Sequence, residues 1–210
     1  WRDDSAAKKV VEFISPELVK QLSSGDMFFF SGISLAVIEE QARAQFWDIV
    51  KQLKAAGVKI VFDPNYRARL WDNVEQTKAQ YHSAFSLADI TLPGVEDLET
   101  LYNVQSVEAV IDYLAPYNIN EIIVKNGPDS VITKEANTVQ SHSITPVKNV
   151  VDTTSAGDAF NGVYLGARLD GRPISEAVKL GAQAAGAVIQ QPGAIAPKDV
   201  FQQAMAKSGL

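Results

Sequence analysis

Short apolar runs alternate with long amphipathic stretches through the first 125 residues, and this rhythm constrains the fold more than any other feature. Apolar runs at 27–30, 58–62, 89–92 and 121–125 are typical of buried strands. The stretches between them predict helices, and strands that alternate with helices are typical of parallel sheets. The sequence therefore predicts an α/β fold, in which a mostly parallel sheet carries helices on both faces.

The stretches between the strands predict one continuous helix over 36–56, a helix over 73–87, and two short helices before residue 121, the second capped by Ser106. After Lys125 the pattern changes. Residues 131–133 and 139–143 predict an antiparallel β-hairpin. Three C-terminal helices follow at 156–169, 175–189 and 197–207, and we expect Ser175 to cap the second. Because we find no internal repeat and no long linker, we predict a single domain over residues 1–210.

Composition excludes several functional classes. The chain has 25 Asp and Glu against 19 Lys and Arg, a net charge of −6, which is a poor electrostatic match for nucleic acid. With no Cys and only two His, thiol catalysis is excluded and a thiolate or polyhistidine metal site is not expected. No apolar run approaches the roughly 18 residues of a membrane span. These features fit a cytoplasmic protein without a nucleic-acid or membrane partner.

The sharpest candidate for chemistry is the segment Asp152-Thr153-Thr154-Ser155-Ala156-Gly157-Asp158. Amides at a helix N-terminus point outward, and the helix dipole there favours anions. Small side chains at 155–157 would let a phosphate approach the backbone, and Asp158 could take a proton from an attacking hydroxyl. The alternative is an ordinary helix start, with Thr154 or Ser155 as the cap. On spacing alone the two interpretations are about equally favoured.

Other nucleotide-binding signatures are absent from the sequence. No G-x-G-x-x-G follows a strand, and no G-x-x-x-x-G-K-[ST] occurs. A dinucleotide dehydrogenase and a P-loop enzyme are therefore disfavoured.

A second candidate segment, Asp63-Pro64-Asn65-Tyr66-Arg67-Ala68-Arg69-Leu70-Trp71, follows the second predicted strand. Ligands of open α/β sheets gather beyond the carboxyl ends of the strands. There the planar fork of Arg67 could hold a carboxylate or a phosphate in a bidentate pair. A solvated Arg67 beside Trp71 is the alternative, and for an isolated arginine it is the commoner case.

Together the two segments resemble known motifs. Residues 152–160 resemble the D-T-x-G-A-G-D signature of the PfkB, or ribokinase-like, carbohydrate kinases. Residues 62–71 are similar to the corresponding stretch of the 2-keto-3-deoxygluconate kinases within that family. Trp1-Arg2 looks like the end of their Y-Y-x-R segment. Residues 31–33 and 124–127 fall in family order, so the resemblance covers essentially the whole chain.

The resemblance implies a role for each matching residue. Asp158 would be the catalytic base and contact the substrate, and the amides of Ser155, Ala156 and Gly157 would form an anion hole for the γ-phosphate. Arg2, Ile33 and Arg67 would bind the sugar acid. ATP would lie along the following residues: Asn65, Tyr66, Arg67, Lys125, Asn126, Gly127, Pro128, Asp129, Ser130 and Gln183.

Three departures from the family pattern are present. Ser155 replaces the first glycine of the signature, and its small side chain leaves the anion hole possible. The family's N-x-x-E segment appears as Pro93-Gly94-Val95-Glu96, in which Glu96 alone remains. Ser130 replaces the last glycine of K-x-G-x-x-G. We assign no protein ligand to a metal and expect Mg²⁺ to arrive with ATP.

The resemblance implies ATP-dependent phosphorylation of 2-dehydro-3-deoxy-D-gluconate at its C6 hydroxyl, giving the 6-phosphate. The two guanidinium groups of Arg2 and Arg67 suit a sugar acid better than a neutral sugar. A fructokinase- or ribokinase-type enzyme is the alternative within the family. An inactive nucleotide-binding fragment, and a metabolic α/β protein in which Asp158 lies in an ordinary helix start, are alternatives from other classes.

The chain begins at Trp1 without a Met, which fits either a removed targeting peptide or an incomplete sequence. Because ribokinase-like chains run to roughly 300 residues, the resemblance favours a truncated domain without the N-terminal third and most of the lid. We then expect an exposed sheet edge or apolar patch. A homodimer is expected for the full-length family member.

Overall fold

The computed structural model describes residues 5–206 of the chain. Its strands are β1 (Met27–Ser31), β2 (Lys59–Asp63), β3 (Ile90–Thr91), β4 (Glu121–Asn126), β5 (Ser130–Glu135) and β6 (Thr138–Ser143). Its α-helices are α1 (Pro16–Leu22), α2 (Gly32–Val37), α3 (Arg43–Ala55), α4 (Val74–Leu87), α5 (Val95–Tyr102), α6 (Val107–Leu114), α7 (Ala156–Leu169), α8 (Ile174–Val188) and α9 (Lys198–Ala206). Short 3-10 segments lie at Ala6–Phe13, Glu40–Ala42, Ala68–Leu70 and Ala115–Tyr117.

The six strands form one sheet in the order β1-β2-β3-β4-β5-β6. The first four are parallel, with Phe30 paired to Phe62 and Val61 paired to Ile90. Residues 127–129 join β4 to β5, and residues 136–137 join β5 to β6. Such short connections are possible only between antiparallel neighbours. The predicted mostly parallel sheet with a C-terminal hairpin is confirmed.

The described chain divides into two compact units. The first contains the residues up to Lys125 together with Lys134–Val139, and the second contains Asn126–Thr133 together with the residues from Gln140 onward. The single domain over residues 1–210 stays a prediction.

An aromatic cluster forms the centre of the first unit. The Phe30 ring lies 5.3 Å from both Phe46 of α3 and Phe62 of β2, and Phe62 lies 5.3 Å from Tyr81 of α4 in an edge-to-face contact. Such pairs contribute about 0.5–1.5 kcal/mol each beyond the area they bury. They fix α3 and α4 against one face of β1 and β2. Helices on the opposite face stay a prediction.

The first strand is an edge strand, and part of its apolar run is exposed. In the described sheet β1 pairs only with β2, and Phe29 is 44% exposed although Phe30 is 3% exposed. Nearby in sequence, Phe13 is 72% exposed. The interpretation of residues 27–30 as a buried strand is therefore wrong for Phe29. The expected apolar exposure at a sheet edge is present.

The continuous helix predicted over 36–56 is wrong. Helix α2 starts directly after β1, capped by Ser31, and Ile38 leaves the helix with φ −59° and ψ 131°. Helix α3 begins at Arg43 and ends before Gly57, which has φ 94° and terminates the helix. Helical periodicity continues across the break, which explains why the sequence pattern does not reveal it.

Helices α7 and α8 form the core of the second unit. They pack closely at Gly181, where an added Cβ would lie 3.0 Å from the Phe160 ring and the Phe160 carbonyl. The bounds predicted for α7 are confirmed. The predicted cap at Ser175 is wrong, because Pro173 precedes the first helical residue and Ser175 lies inside α8.

Candidate active site

The segment after β2 leaves the sheet through a constrained turn. Pro64 is buried, Asn65 has φ 33°, and Tyr66 is 8% exposed. The Tyr66 amide donates to Asp97 Oδ1 at 2.8 Å. This bond ties the segment to the first turn of α5, so that the backbone at Tyr66 has a fixed position.

Asp97 organises this region, although the sequence argument did not select it. Its Oδ2 accepts a hydrogen bond from the Gly94 amide at 3.0 Å, and its side chain is 13% exposed. Burial, together with the negative charge of Asp63, raises the pKa of Asp97 above its ordinary value. Its spacing of three residues from Gly94 is that of a capping box, which is the signal that could have identified it.

A partly buried ion pair lies beside Asp97. Lys125, at the end of β4, places Nζ 3.4 Å from Asp63 Oδ1 at the end of β2. The side chains are 19% and 2% exposed, so water screens the pair weakly. Lys125 is further fixed by its amide, which donates to the Pro93 carbonyl at 2.8 Å.

The guanidinium of Arg67 extends outward from the fixed backbone at Tyr66. Its side chain is 58% exposed, Nη1 donates to the Tyr66 carbonyl at 3.0 Å, and Nη1 lies 3.9 Å from Asp97 Oδ1. A guanidinium carries five N–H donors, so most of them point toward solvent and could bind an anion. The exposed position equally fits the alternative of a solvated arginine.

Ile33 lies on α2, immediately beyond the end of β1, and is half-buried. Its neighbour Gly32 sits where no side chain fits. A Cβ there would lie 1.9 Å from the Tyr81 hydroxyl and 2.0 Å from the Pro64 carbonyl. The Tyr81 hydroxyl donates to that carbonyl, which fixes α4 against the segment carrying Arg67.

In the second unit, the segment before α7 is shaped by its backbone. Ser155 adopts a left-handed conformation with φ 61°, and its side chain makes no capping hydrogen bond. The Ala156 amide donates to the Thr153 carbonyl at 3.2 Å. Among the described residues, the amides of Ser155 and Gly157 have no hydrogen-bond partner. Two of the three amides predicted for the anion hole are therefore available.

Asp152 holds this segment in place. Its Oδ1 accepts from the Thr154 amide at 2.9 Å, and its Oδ2 accepts from the Gly193 amide at 3.1 Å. Hydrogen bonds from the Thr154 side chain and from these two amides lower the pKa of Asp152. The carboxylate thus stays ionised and links the segment before α7 to the loop after α8.

Asp158 lies in the first turn of α7 and is exposed. An anion bound at the free amides of Ser155 and Gly157 would therefore lie next to an accessible carboxylate. Ser155 is the N-cap residue of α7, but neither Ser155 nor Thr154 caps the helix with its side chain. Thr154 bonds to Asp152 instead, and the Ser155 side chain makes no capping hydrogen bond.

The remaining predicted ATP-binding residues lie in the second unit, with Lys125 directly before them. Residues 126–130 form the β4–β5 turn, where Gly127 has φ 57° and the Asp129 carbonyl accepts from the Ile144 amide at 3.3 Å. Ile144 and Gln183 line a cavity of about 660 Å³ between the hairpin end and α8. This volume is typical of small-molecule sites. Gln183 Nε2 donates to the Ala204 carbonyl of α9.

The structure thus groups the predicted site residues in two sets. Those of the first unit are Ile33, Asn65, Tyr66, Arg67 and Lys125. Those of the second unit are Asn126, Gly127, Pro128, Asp129, Ser130, Ser155, Ala156, Gly157, Asp158 and Gln183. Arg2 lies outside the described residues. Glu96, the residue matched to the family's glutamate, is exposed, whereas Asp97 is half-buried and accepts the Gly94 amide.

Residues 5–206 were compared with what a metal site and a membrane span require. These residues include no group of three or more His, Asp or Glu side chains placed to hold a metal ion. No helix in the same range is long and apolar enough to cross a membrane.

Comparison with known proteins identifies the family. The model of the pfkB family of carbohydrate kinases matches residues 1–200. The chain belongs to this family. It is 36% identical over 205 residues to the 2-dehydro-3-deoxygluconokinase of Escherichia coli (strain K12), and 33% identical over 209 residues to that of Dickeya dadantii (strain 3937). Each match covers 96% of this chain and 66% of the relative, so the chain spans just under two thirds of these relatives' length.

Solved structures confirm the ribokinase-like fold. The 2-dehydro-3-deoxygluconokinase of Thermotoga maritima superposes with a TM-score of 0.73 over 98% of this chain and 64% of its own, at 20% identity. At that identity the likeness concerns the fold alone.

Proposed function

We propose that this chain belongs to an ATP-dependent kinase that phosphorylates 2-dehydro-3-deoxy-D-gluconate at its C6 hydroxyl, giving the 6-phosphate. The observation that carries the proposal is the start of α7. There a left-handed Ser155 leaves backbone amides without partners next to the exposed Asp158. The names of the relatives that are 33–36% identical to the chain add support for the substrate.

In this proposal the start of α7 performs the phosphoryl transfer. The amides of Ser155 and Gly157, with that of Ala156 if its bond to Thr153 opens, would bind the γ-phosphate as charge develops on it. Asp158 would accept the proton of the C6 hydroxyl as that oxygen attacks. Asp152 would hold the segment before α7 in position by accepting hydrogen bonds from the Thr154 and Gly193 amides.

The first unit would recognise the sugar acid. Arg67 is mostly exposed, but its backbone is fixed by the bond between the Tyr66 amide and Asp97. A guanidinium on a rigid base suits a bidentate pair with a carboxylate. Ile33 would contact the sugar, and Arg2 would be a second cation for the acid.

ATP would use the residues predicted for it. Asn65, Tyr66, Arg67 and Lys125 would lie along the phosphates, and the turn at 126–130 along the nucleoside. Gln183 lines the cavity of about 660 Å³, which is large enough for an adenine ring. Mg²⁺ would arrive with ATP, supply charge to the phosphates and keep several water ligands. The homodimer and the cytoplasmic location remain proposals based on family resemblance.

The test is phosphate transfer by the full natural protein, with ATP and a panel of 2-dehydro-3-deoxygluconate, 2-dehydro-3-deoxygalactonate, fructose and ribose. We expect the highest kcat/KM for a keto-deoxy acid. Turnover of fructose or ribose without the acids would favour the fructokinase- or ribokinase-type alternative. ATP binding by calorimetry without turnover of any sugar would favour the nucleotide-binding alternative.

A further inference from the structure

Arg43, the first residue of α3, is a buried charge that the proposed reaction does not use. Its side chain is 8% exposed. Transfer of a guanidinium from water to a protein interior is costly unless specific contacts compensate for it. The contacts of Arg43 therefore indicate what this burial achieves.

The first contact fixes α2. Arg43 Nε donates to the Leu35 carbonyl at 3.0 Å, in the last turn of the helix that carries Ile33. Because α2 has only six residues, its own hydrogen bonds hold its direction weakly. The bond from Arg43 attaches its C-terminal end to the start of α3.

The second contact fixes the segment that carries Arg67. The guanidinium carbon of Arg43 lies 4.9 Å from the centre of the Trp71 ring, a cation–π distance. Trp71 also packs against Tyr81, 6.0 Å between ring centres. Neither Arg43 Nη1 nor Trp71 Nε1 has a hydrogen-bond partner among the described residues. The face of the ring is therefore the main partner of this side of the guanidinium.

Nearby charges keep the group ionised in a buried position. Burial lowers the pKa of Arg43, whereas the carboxylates of Glu40 and Asp72 raise it. An arginine stays protonated under such a shift. Arg43 thus offers a permanent planar cation, and a lysine could not reproduce both the hydrogen bond to Leu35 and the flat contact with Trp71.

We propose that Arg43 is a positioning residue for recognition of the sugar acid. It attaches two substrate-facing elements, α2 with Ile33 and the segment 64–71 with Arg67, to one point at the start of α3. The inference rests on the proposed function for its substrate, but the fixation of the segment is independent of it. Loss of Arg43 loosens the backbone segment that carries Arg67 and raises KM for the sugar acid. The transfer step at Asp158 is unchanged.

The first experiment measures amide hydrogen exchange over residues 66–71 in wild type, Arg43→Met, Arg43→Lys and Lys54→Met. Lys54 is the matched control. It lies near the other end of α3, where it bonds to the Leu87 carbonyl at 2.7 Å and to Asp89 at 2.8 Å. We expect exchange to accelerate by about threefold to thirtyfold in Arg43→Met, from the strength of a desolvated cation–π contact. Arg43→Lys, which keeps a cation, should give a smaller acceleration, and Lys54→Met none at 66–71.

The second experiment measures steady-state kinetics of the same variants in the full natural protein. KM for 2-dehydro-3-deoxygluconate should rise by a similar factor in Arg43→Met, with kcat within about twofold, and should recover partly in Arg43→Lys. Unchanged exchange at 66–71 would overturn the positioning role. A loosened segment with unchanged KM would overturn its link to the substrate. A wild-type protein that phosphorylates no sugar acid would overturn the proposed function, and the exchange result would then still decide whether Arg43 fixes the segment.

Discussion

The two segments that carry the candidate chemistry are held in opposite ways. The segment after β2 is fixed by side-chain contacts: Tyr66 is 8% exposed, Asp97 accepts two amides, and Trp71 packs on Arg43 and Tyr81. The segment before α7 is fixed mainly by its backbone. Ser155 adopts a left-handed conformation, and Asp152 accepts from two amides.

This difference matches what each segment is proposed to bind. To bind a carboxylate, Arg67 must reach outward from an immobile backbone. Packing of the surrounding side chains makes the backbone immobile. A phosphate bound at a helix N-terminus requires bare amides, and large side chains would prevent its approach. We therefore expect substitutions in the second segment to act on the rate of reaction and substitutions in the first to act on affinity or stability.

The largest effect is expected from Asp158→Asn. Loss of a general base should lower kcat by about 10²–10⁴-fold, with the ATP dissociation constant changed by less than about threefold. Stability should change little, because the side chain is exposed. Asp170→Asn, at the other end of the same helix, is the matched control. Activity retained within a few-fold in Asp158→Asn would contradict the general-base role.

Arg67→Met should act on substrate affinity. Loss of charge-assisted hydrogen bonds should raise KM for the sugar acid by about tenfold to a hundredfold, with kcat much less affected. Arg69→Met, an exposed arginine two residues further on, serves as the control and should leave KM unchanged. Equal KM values in the two variants would favour the alternative that Arg67 is only solvated.

Asp97→Asn should act on stability and on its pH dependence. An asparagine cannot accept both amides, so we expect a loss of about 1–3 kcal/mol in the free energy of unfolding. The pKa of Asp97 is raised in the folded protein, so that the folded state keeps a proton which the unfolded state loses near pH 3.9. Stability contributed by Asp97 is therefore greatest at low pH and falls as pH rises through that window.

Urea unfolding of wild type and Asp97→Asn between pH 4 and about 7 measures this effect. The stability difference between the two proteins should shrink as pH rises. Glu96→Gln, the exposed neighbour, should change stability by less than about 0.5 kcal/mol. A difference that grows with pH would show that Asp97 is stabilised as a carboxylate, contrary to the buried environment described above.

The smallest effect is expected from Ser155→Gly. A glycine adopts φ 61° without strain, so we expect a gain of about 0.5–1 kcal/mol in stability. Because the amides remain, kcat should change by less than about threefold. Ala136→Gly, at φ 51° in the hairpin turn, should give a similar gain. A loss of stability in Ser155→Gly alone would mean that the serine side chain holds the segment.

Local signals predicted the elements that depend on local interactions. Ser106 caps α6 through the Ala109 amide at 3.1 Å as predicted, and the bounds of α7 agree with the prediction. The family motifs selected Arg67 and Asp158. The break between α2 and α3 was missed, because both helices continue the same apolar periodicity.

The sequence did not distinguish Glu96 from Asp97, or the burial of Phe29 from that of Phe30. Glu96 and Asp97 are adjacent on the helix and face different directions. Only Asp97 faces the Gly94 and Tyr66 amides and accepts their hydrogen bonds. Adjacent strand residues face opposite sides of the sheet. Only one side of β1 at that point is covered by α3.

By itself, the sequence determined the alternation of strands and helices, the cap at Ser106, the hairpin and the family. These follow from interactions between residues close in the chain and from short motifs. Tertiary structure alone decided that Arg43 contacts both Leu35 and Trp71, and that Asp97 supports the backbone before Arg67. Arg43 and Trp71 are 28 residues apart, and Asp97 and Tyr66 are 31 apart. A linear pattern does not record which of many candidate partners burial brings together.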